Sequence, residues 1–286
     1  MQERVGRSRR LLTVTLAMAC LVAVLHIATA SATATTCSVT ATDGLETRML
    51  GTRTYELYVP PGLPANIVGA PLLLSMHGLG SSGVRTAGTV PWLTHAAQAG
   101  FIVAFPDGEG GAWKLAEGST DVDFLRSVVA DIESTYCVDG SRVHAAGHSL
   151  GGYMAQRLAC DAADIFASVA AYAAGSPILT SGSGGCTPQR GISVALYHGT
   201  DDAIVPLSAG TASLAEWIDR LGCTLPPTTQ TLTAGTAATY RGCIDRQVVT
   251  WRQYEGQGHR WPTGVTGADI RDGMWNHFLT HPHPTR

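Results

Sequence analysis

The 286-residue sequence predicts an α/β domain, a mainly parallel sheet covered by helices on both faces. Three observations carry that expectation. Short apolar runs bounded by turn residues alternate with stretches of helical periodicity. One such run, Val143–Ala146, passes through Gly147-His148-Ser149-Leu150-Gly151 directly into an apolar helical stretch. Two later apolar runs end in loops that carry first an acid and then a histidine.

The first thirty residues fall outside this pattern. Arg4, Arg7, Arg9 and Arg10 precede an apolar run from Leu11 to Ile27, and Ala28-Thr29-Ala30 or Ala30-Ser31-Ala32 supplies a small-x-small cleavage site. This reads as a secretory signal peptide over residues 1–30 and a secreted, extracellular product; the alternative is an uncleaved membrane anchor. Ser8-Arg9-Arg10-Leu11-Leu12 has the form of a twin-arginine signal. Residues 31–286 then suit one large catalytic domain. Of 19 basic and 22 acidic residues, removal of the leader leaves 15 and 21, a net charge of −6. With no basic stripe, nucleic acid is a poor partner, and a monomer with no stable membrane association is expected.

Six cysteines remain after Cys20 leaves with the leader: Cys37, Cys137, Cys160, Cys186, Cys223 and Cys243. An even number in an exported chain points to disulfides, in any of about fifteen connectivities. Cys223 and Cys243 bracket a Thr/Pro/Gly-rich excursion and are the first expected pair; Cys160–Cys186 and Cys37–Cys137 would follow. No C-x-x-C or closely spaced Cys/His set supports a zinc site instead.

Strands are expected at residues 55–59, 72–76, 101–105, 143–146, 167–171, 194–197 and 248–254. Val122, Leu125, Val128, Val129 and Ile132 share a helical face, with Thr120 and Asp123 as a possible cap. Helices are also expected at 150–158, 207–221 and 268–279. Ligands of such sheets bind beyond the carboxyl ends of the strands.

The chemistry collects in the loops at those ends. Gly147-His148-Ser149-Leu150-Gly151 has the form of an elbow that holds a serine exposed, small residues letting strand and helix pass closely. Leu72–Met76 runs into His77-Gly78-Leu79, where the N–H of Leu79 and that of Leu150 could form an oxyanion hole. Val194–Tyr197 leads to His198-Gly199-Thr200-Asp201-Asp202-Ala203-Ile204-Val205-Pro206, whose spacing selects Asp202 over Asp201 as the acid. Gly256-Gln257-Gly258-His259-Arg260-Trp261 offers His259 as the base. His281-Pro282-His283 reads as an exposed tail. Nucleophile Ser149, acid Asp202 and base His259 then occur in the chain order of the α/β-hydrolases.

These residues carry a resemblance to the secreted esterases that include polyhydroxybutyrate depolymerases, feruloyl esterases and some acetylxylan esterases. It runs from about Arg53 to Pro282, through Pro71–Gly78, Gly100–Gly108, Asp121–Leu125, Gly147–Gly152, Leu158–Cys160, His198–Asp202 with Val205-Pro206, and Gly258–Pro262. The resemblance implies an α/β-hydrolase fold, no metal and no organic cofactor, and it assigns the same triad. Leu79 and Leu150 stand where relatives often carry other residues, which lines the pocket with apolar side chains and bears on the substrate. No linker or polymer-binding domain is expected beside the catalytic domain. Trp92, Trp113, Trp261 and Trp275 could supply an apolar surface near the cleft, Trp113 being the foremost wall candidate and Trp275 a packing residue. The leading expectation is therefore a polyhydroxyalkanoate depolymerase acting on amorphous or medium-side-chain polymer. A feruloyl or acetylxylan esterase of plant cell walls is the alternative; an acyltransferase and a non-enzymatic adhesion module stand further off.

Overall fold

In the computed structural model the described residues are 1–2, 40–42, 44–63, 69–178 and 184–286. The expected leader, apart from Met1 and Gln2, lies outside them, as does Cys37. The chain divides at Thr35, and the fold is that of the unit Thr36–Arg286.

The strands are β1 (Glu46–Leu50), β2 (Arg53–Tyr58), β3 (Ala70–Met76), β4 (Ile102–Pro106), β5 (Val138–His148), β6 (Ser168–Tyr172), β7 (Ser193–Gly199), β8 (Thr224–Leu232), β9 (Gly235–Arg241) and β10 (Val249–Tyr254). The helices are α1 (Gly83–Thr89), α2 (Trp92–Ala99), α3 (Thr120–Thr135), α4 (Leu150–Asp161), α5 (Leu207–Arg220) and α6 (Gly264–Thr280). The strands form one sheet in the order β1-β2-β4-β3-β5-β6-β7-β10-β9-β8. From β4 to β10 every pairing is parallel; β1, β2, β8 and β9 extend the two edges antiparallel. This is the α/β-hydrolase architecture, with helices on both faces.

The apolar runs explain the layering. Alternate residues of a strand face opposite sides of the sheet, so a strand covered on both sides must be apolar throughout. Leu72, Leu74 and Met76 of β3 face a core built with Val122, Leu125 and Val129 of α3, Met154 and Leu158 of α4, and Trp217 of α5. Leu73 faces the opposite core with Trp92 of α2 and Ile270, Met274 and Phe278 of α6.

Several elements depart from the sequence expectation. β1, β8, β9, α1 and α2 were not expected. They are short, or, like the β8 stretch Thr224–Leu232, polar and largely exposed, so hydrophobic period gives no signal there. Thr120 and Asp123 do not cap α3: Ser119 stands at the cap position with no side-chain capping bond, its hydroxyl donating instead to the Lys114 carbonyl. The C-terminal histidine is not in an exposed tail: His283 is buried, its N–H donating to the Ser141 carbonyl and its ring meeting Arg190.

Cys160–Cys186 ties the end of α4 to the segment before β7, and Cys223–Cys243 closes the base of the β8–β9 hairpin. Cys137 is also disulfide-bonded; its expected partner, Cys37, lies outside the described residues. No described helix is long and apolar enough to cross a membrane.

Candidate active site

β3, β5, β7 and β10 are parallel, so the loops that follow them emerge on one edge of the sheet. Ser149 sits between β5 and α4 with φ 55° and ψ −124°, a left-handed conformation costly for a residue with a side chain. Its surroundings hold it there. The Ser149 N–H donates to the Tyr172 carbonyl at 2.9 Å, and the Ser149 carbonyl accepts from Gly152 and Tyr153. A Cβ at Gly147 would overlap the Gly151 carbonyl, and one at Gly151 would overlap the carbonyls of Met76 and His77. The two glycines therefore let α4 start against both β5 and β3.

His259 and Asp202 come from neighbouring strands, β10 and β7. Their loops are stitched together by the Asp201 N–H on the Gln257 carbonyl (2.9 Å) and the Thr200 N–H on the Tyr254 carbonyl (3.0 Å). A Cβ at Gly199 would overlap the Gln257 carbonyl, so this approach requires glycine. The Ser149 hydroxyl then lies 2.8 Å from His259 Nε2, and His259 Nδ1 lies 2.9 Å and 3.1 Å from the two carboxylate oxygens of Asp202. With Nδ1 carrying the proton, His259 donates to Asp202 and accepts from Ser149. Asp202 is buried (5 % exposed), and Oδ1 also accepts from the N–H groups of Ile204 and Val205. Burial pushes its pKa up, but the bonds from His259, Val205 and Ile204 outweigh burial and hold it below the ordinary carboxylate value. Asp201 is exposed and accepts from the Thr200 hydroxyl.

The loop after β3 is braced from beneath. His77 is buried; Nδ1 bonds the Gly78 carbonyl at 2.8 Å, and Nε2 accepts from the Gly108 N–H at 2.9 Å. Burial lowers its pKa, consistent with a neutral ring accepting at Nε2. Trp113 donates from Nε1 to the His77 carbonyl at 2.8 Å. This corrects the expectation for Trp113: at 4 % exposure it belongs to the core and does not wall the cleft. Trp92 and Trp275 are likewise core residues, the latter stacked on Phe101. Trp261 is half-buried and lines the cleft, its ring edge-on to Tyr172.

Two residues of the site were not singled out from sequence as supports. Tyr172, at the end of β6, donates to the carbonyls of Gly258 and Arg260; His148 bonds the His259 carbonyl through Nε2. An aromatic residue closing the strand beside the elbow is the signal that could have found Tyr172.

A buried His–Asp pair meeting a serine on a strained elbow is the constellation of a serine hydrolase. Comparison with known proteins places it more closely. The family model described as Prolyl oligopeptidase family matches residues 89–184, the stretch from the end of α1 past the elbow. Feruloyl esterase B of Piromyces equi is 30% identical over 225 residues, covering 70% of this chain and 41% of that protein. Feruloyl esterase C of Emericella nidulans is 27% identical over 236 residues, covering 79% and 84%. The solved structure of an acetyl xylan esterase from Aspergillus awamori superposes with a TM-score of 0.67 at 19% identity, over 82% of this chain and 99% of that one, a likeness of fold. The chain has an α/β-hydrolase fold and is similar in sequence to feruloyl esterases. It spans less than half the length of the Piromyces equi protein.

Proposed function

We propose that this protein is an extracellular serine esterase that removes feruloyl or acetyl groups from plant cell-wall polysaccharide. The observation that carries the chemistry is the 2.8 Å approach of the Ser149 hydroxyl to His259 Nε2, with Asp202 behind the ring. In the proposed mechanism His259 takes the hydroxyl proton as Ser149 Oγ bonds the ester carbonyl carbon. The N–H groups of Leu79 and Leu150 stabilise the oxyanion, Leu150 being in the first turn of α4, where N–H groups lack helical acceptors. Collapse breaks the ester C–O bond, and His259 gives its proton to the leaving alcohol. Water, deprotonated by the same ring, then releases the acid and restores Ser149.

Two observations favour this reading over the polyester one. The relatives carry names of feruloyl and acetylxylan esterases. Trp113, on which an apolar polymer groove depended, is buried away from the cleft. The arginine-led apolar run at residues 1–30 supports export.

The test is product release by the purified protein from methyl ferulate, acetylated xylan and a polyhydroxybutyrate film. Ferulate or acetate release with an intact film is expected. Clearing of the film with neither acid released would return the enzyme to polyesters.

A further inference from the structure

The cleft at Ser149 has a volume of about 830 Å³, and its walls are chemically divided. Leu79 and Ile204, 73 % and 71 % exposed, and the half-buried Trp261 give it an apolar part. Ser81 adds a hydroxyl, while those of Thr86 and Thr89 donate to the Ser82 and Arg85 carbonyls along α1. The charged side chains of the cleft are both arginines. Arg85 and Thr89, four residues apart, share one face of α1, and Arg260 follows His259 in the loop after β10. Both arginines are exposed. Among the described residues no carboxylate lines this cleft, and no carboxylate engages either guanidinium.

The arrangement reverses the sign of the whole molecule, whose net charge is −3. Several arginines elsewhere are matched: Arg126 pairs with Asp164, Arg142 with Asp139 and Arg286 with Glu133. Two unmatched guanidiniums in one concave surface concentrate positive potential where the scissile ester must lie. The planar guanidinium also suits a carboxylate better than it suits a sugar hydroxyl.

We propose that the substrate carries a carboxylate close to the scissile ester and that Arg85 and Arg260 bind it. The inference rests on the esterase reading above and narrows its substrate to acidic esters. The carboxylate belongs either to a uronate of the polysaccharide or to a dicarboxylic acyl group.

Two matched substrate pairs test this and separate the sources. The first is an acetylated xylo-oligosaccharide with and without a glucuronate branch; the second is the 4-nitrophenyl monoester of succinate against 4-nitrophenyl acetate. At low ionic strength the acidic member of one pair should show a KM about five- to tenfold lower, as expected for two solvent-exposed charge contacts. The advantage should collapse in about 0.5 M NaCl, where screening acts within a few ångströms. In Arg85→Gln, Arg260→Gln and the double variant, the ratio of kcat/KM for the acidic over the neutral member should move stepwise toward one. Preference within the first pair assigns a uronate; preference within the second assigns an acidic acyl group. A ratio near one in the parent, or a ratio unchanged in a folded double variant, overturns the proposal. Failure to cleave either oligosaccharide, with a polyester cleaved instead, would defeat the cell-wall reading alone, because the second pair still reports carboxylate recognition.

Discussion

His148 donates through Nε2 to the backbone carbonyl of His259 at 2.6 Å, so the residue before the serine also holds the loop that carries the base. Tyr172 completes the clamp: its hydroxyl lies 3.0 Å from the Gly258 carbonyl and 3.3 Å from that of Arg260. Three successive carbonyls are thus pinned from β5 and β6 while the His259 ring faces Ser149. Burial pushes the His148 pKa down to about 4, which keeps the ring neutral at pH 7 with Nδ1 unprotonated. Burial, assisted by Asp202, raises Tyr172 well above an ordinary phenol and preserves it as a donor.

Tyr172→Phe should lower kcat about tenfold, the worth of one hydrogen bond of roughly 1–1.5 kcal/mol, with a smaller change in KM. Steady-state kinetics on a soluble ester checks this. Parent-like kcat in the variant would mean that the loop holds its place without the hydroxyl.

Trp113→Phe keeps the core filled but removes the bond to the His77 carbonyl. The loop bearing Leu79 loses a brace, and the expected effect falls on kcat, by roughly fivefold to tenfold, for a bond of about 1 kcal/mol. If the variant instead raised KM selectively for bulky substrates, Trp113 would be a wall of the cleft after all.

How much of this was legible in the sequence depends on where the information sits. The elbow, the choice of Asp202 over Asp201 and the loop position of His259 follow from local spacing, because each residue closes its own strand. The burial of Trp113 does not. Whether a loop tryptophan faces solvent or core depends on the Gly108–Trp113 turn folding back beneath His77, a contact between residues 36 positions apart. Tyr172 was hidden for the same reason, since its partners lie 86 and 88 residues along the chain. The β8–β9 hairpin escaped because its exposed threonines and prolines carry neither period.

The buried histidines set an acid limit on stability. His144 is fully enclosed against Ser168 and Phe278, and burial pushes its pKa down to about 3; His148 falls to about 4. A histidine depressed in the folded state contributes nothing above about pH 6.5, where both states are neutral. As pH falls below that, the unfolded chain binds protons that the folded chain refuses, and stability declines until the folded pKa is reached. Asp202 acts in the same direction lower down: its stabilisation is present above the ordinary aspartate value and is lost as pH falls through its depressed pKa. Denaturant unfolding at successive pH values should show a steady loss beginning near pH 6.5 and steepest between about pH 6 and 4. A flat profile down to pH 4 would contradict the buried, neutral state of both rings.

The Cys223–Cys243 bridge spans 20 residues and closes a hairpin whose β8 strand is mostly exposed. Loop-closure entropy for such a span is about 3 kcal/mol. Replacing both cysteines with alanine should lower Tm by roughly 6–12 °C. Calorimetry of the variant decides it; an unchanged Tm would show that strand pairing alone holds the hairpin.

In the proposed mechanism Ser149, activated by His259, forms the acyl-enzyme. The most direct measurement is mass spectrometry of the protein after reaction with a fluorophosphonate, alongside hydrolysis by the parent and Ser149→Ala. One phosphonyl adduct is expected on the peptide containing Ser149, none in the alanine variant, and loss of ester hydrolysis in that variant with its unfolding transition retained. An unlabelled Ser149, or a folded Ser149→Ala protein that turns over ester at the parental rate, would contradict that mechanism.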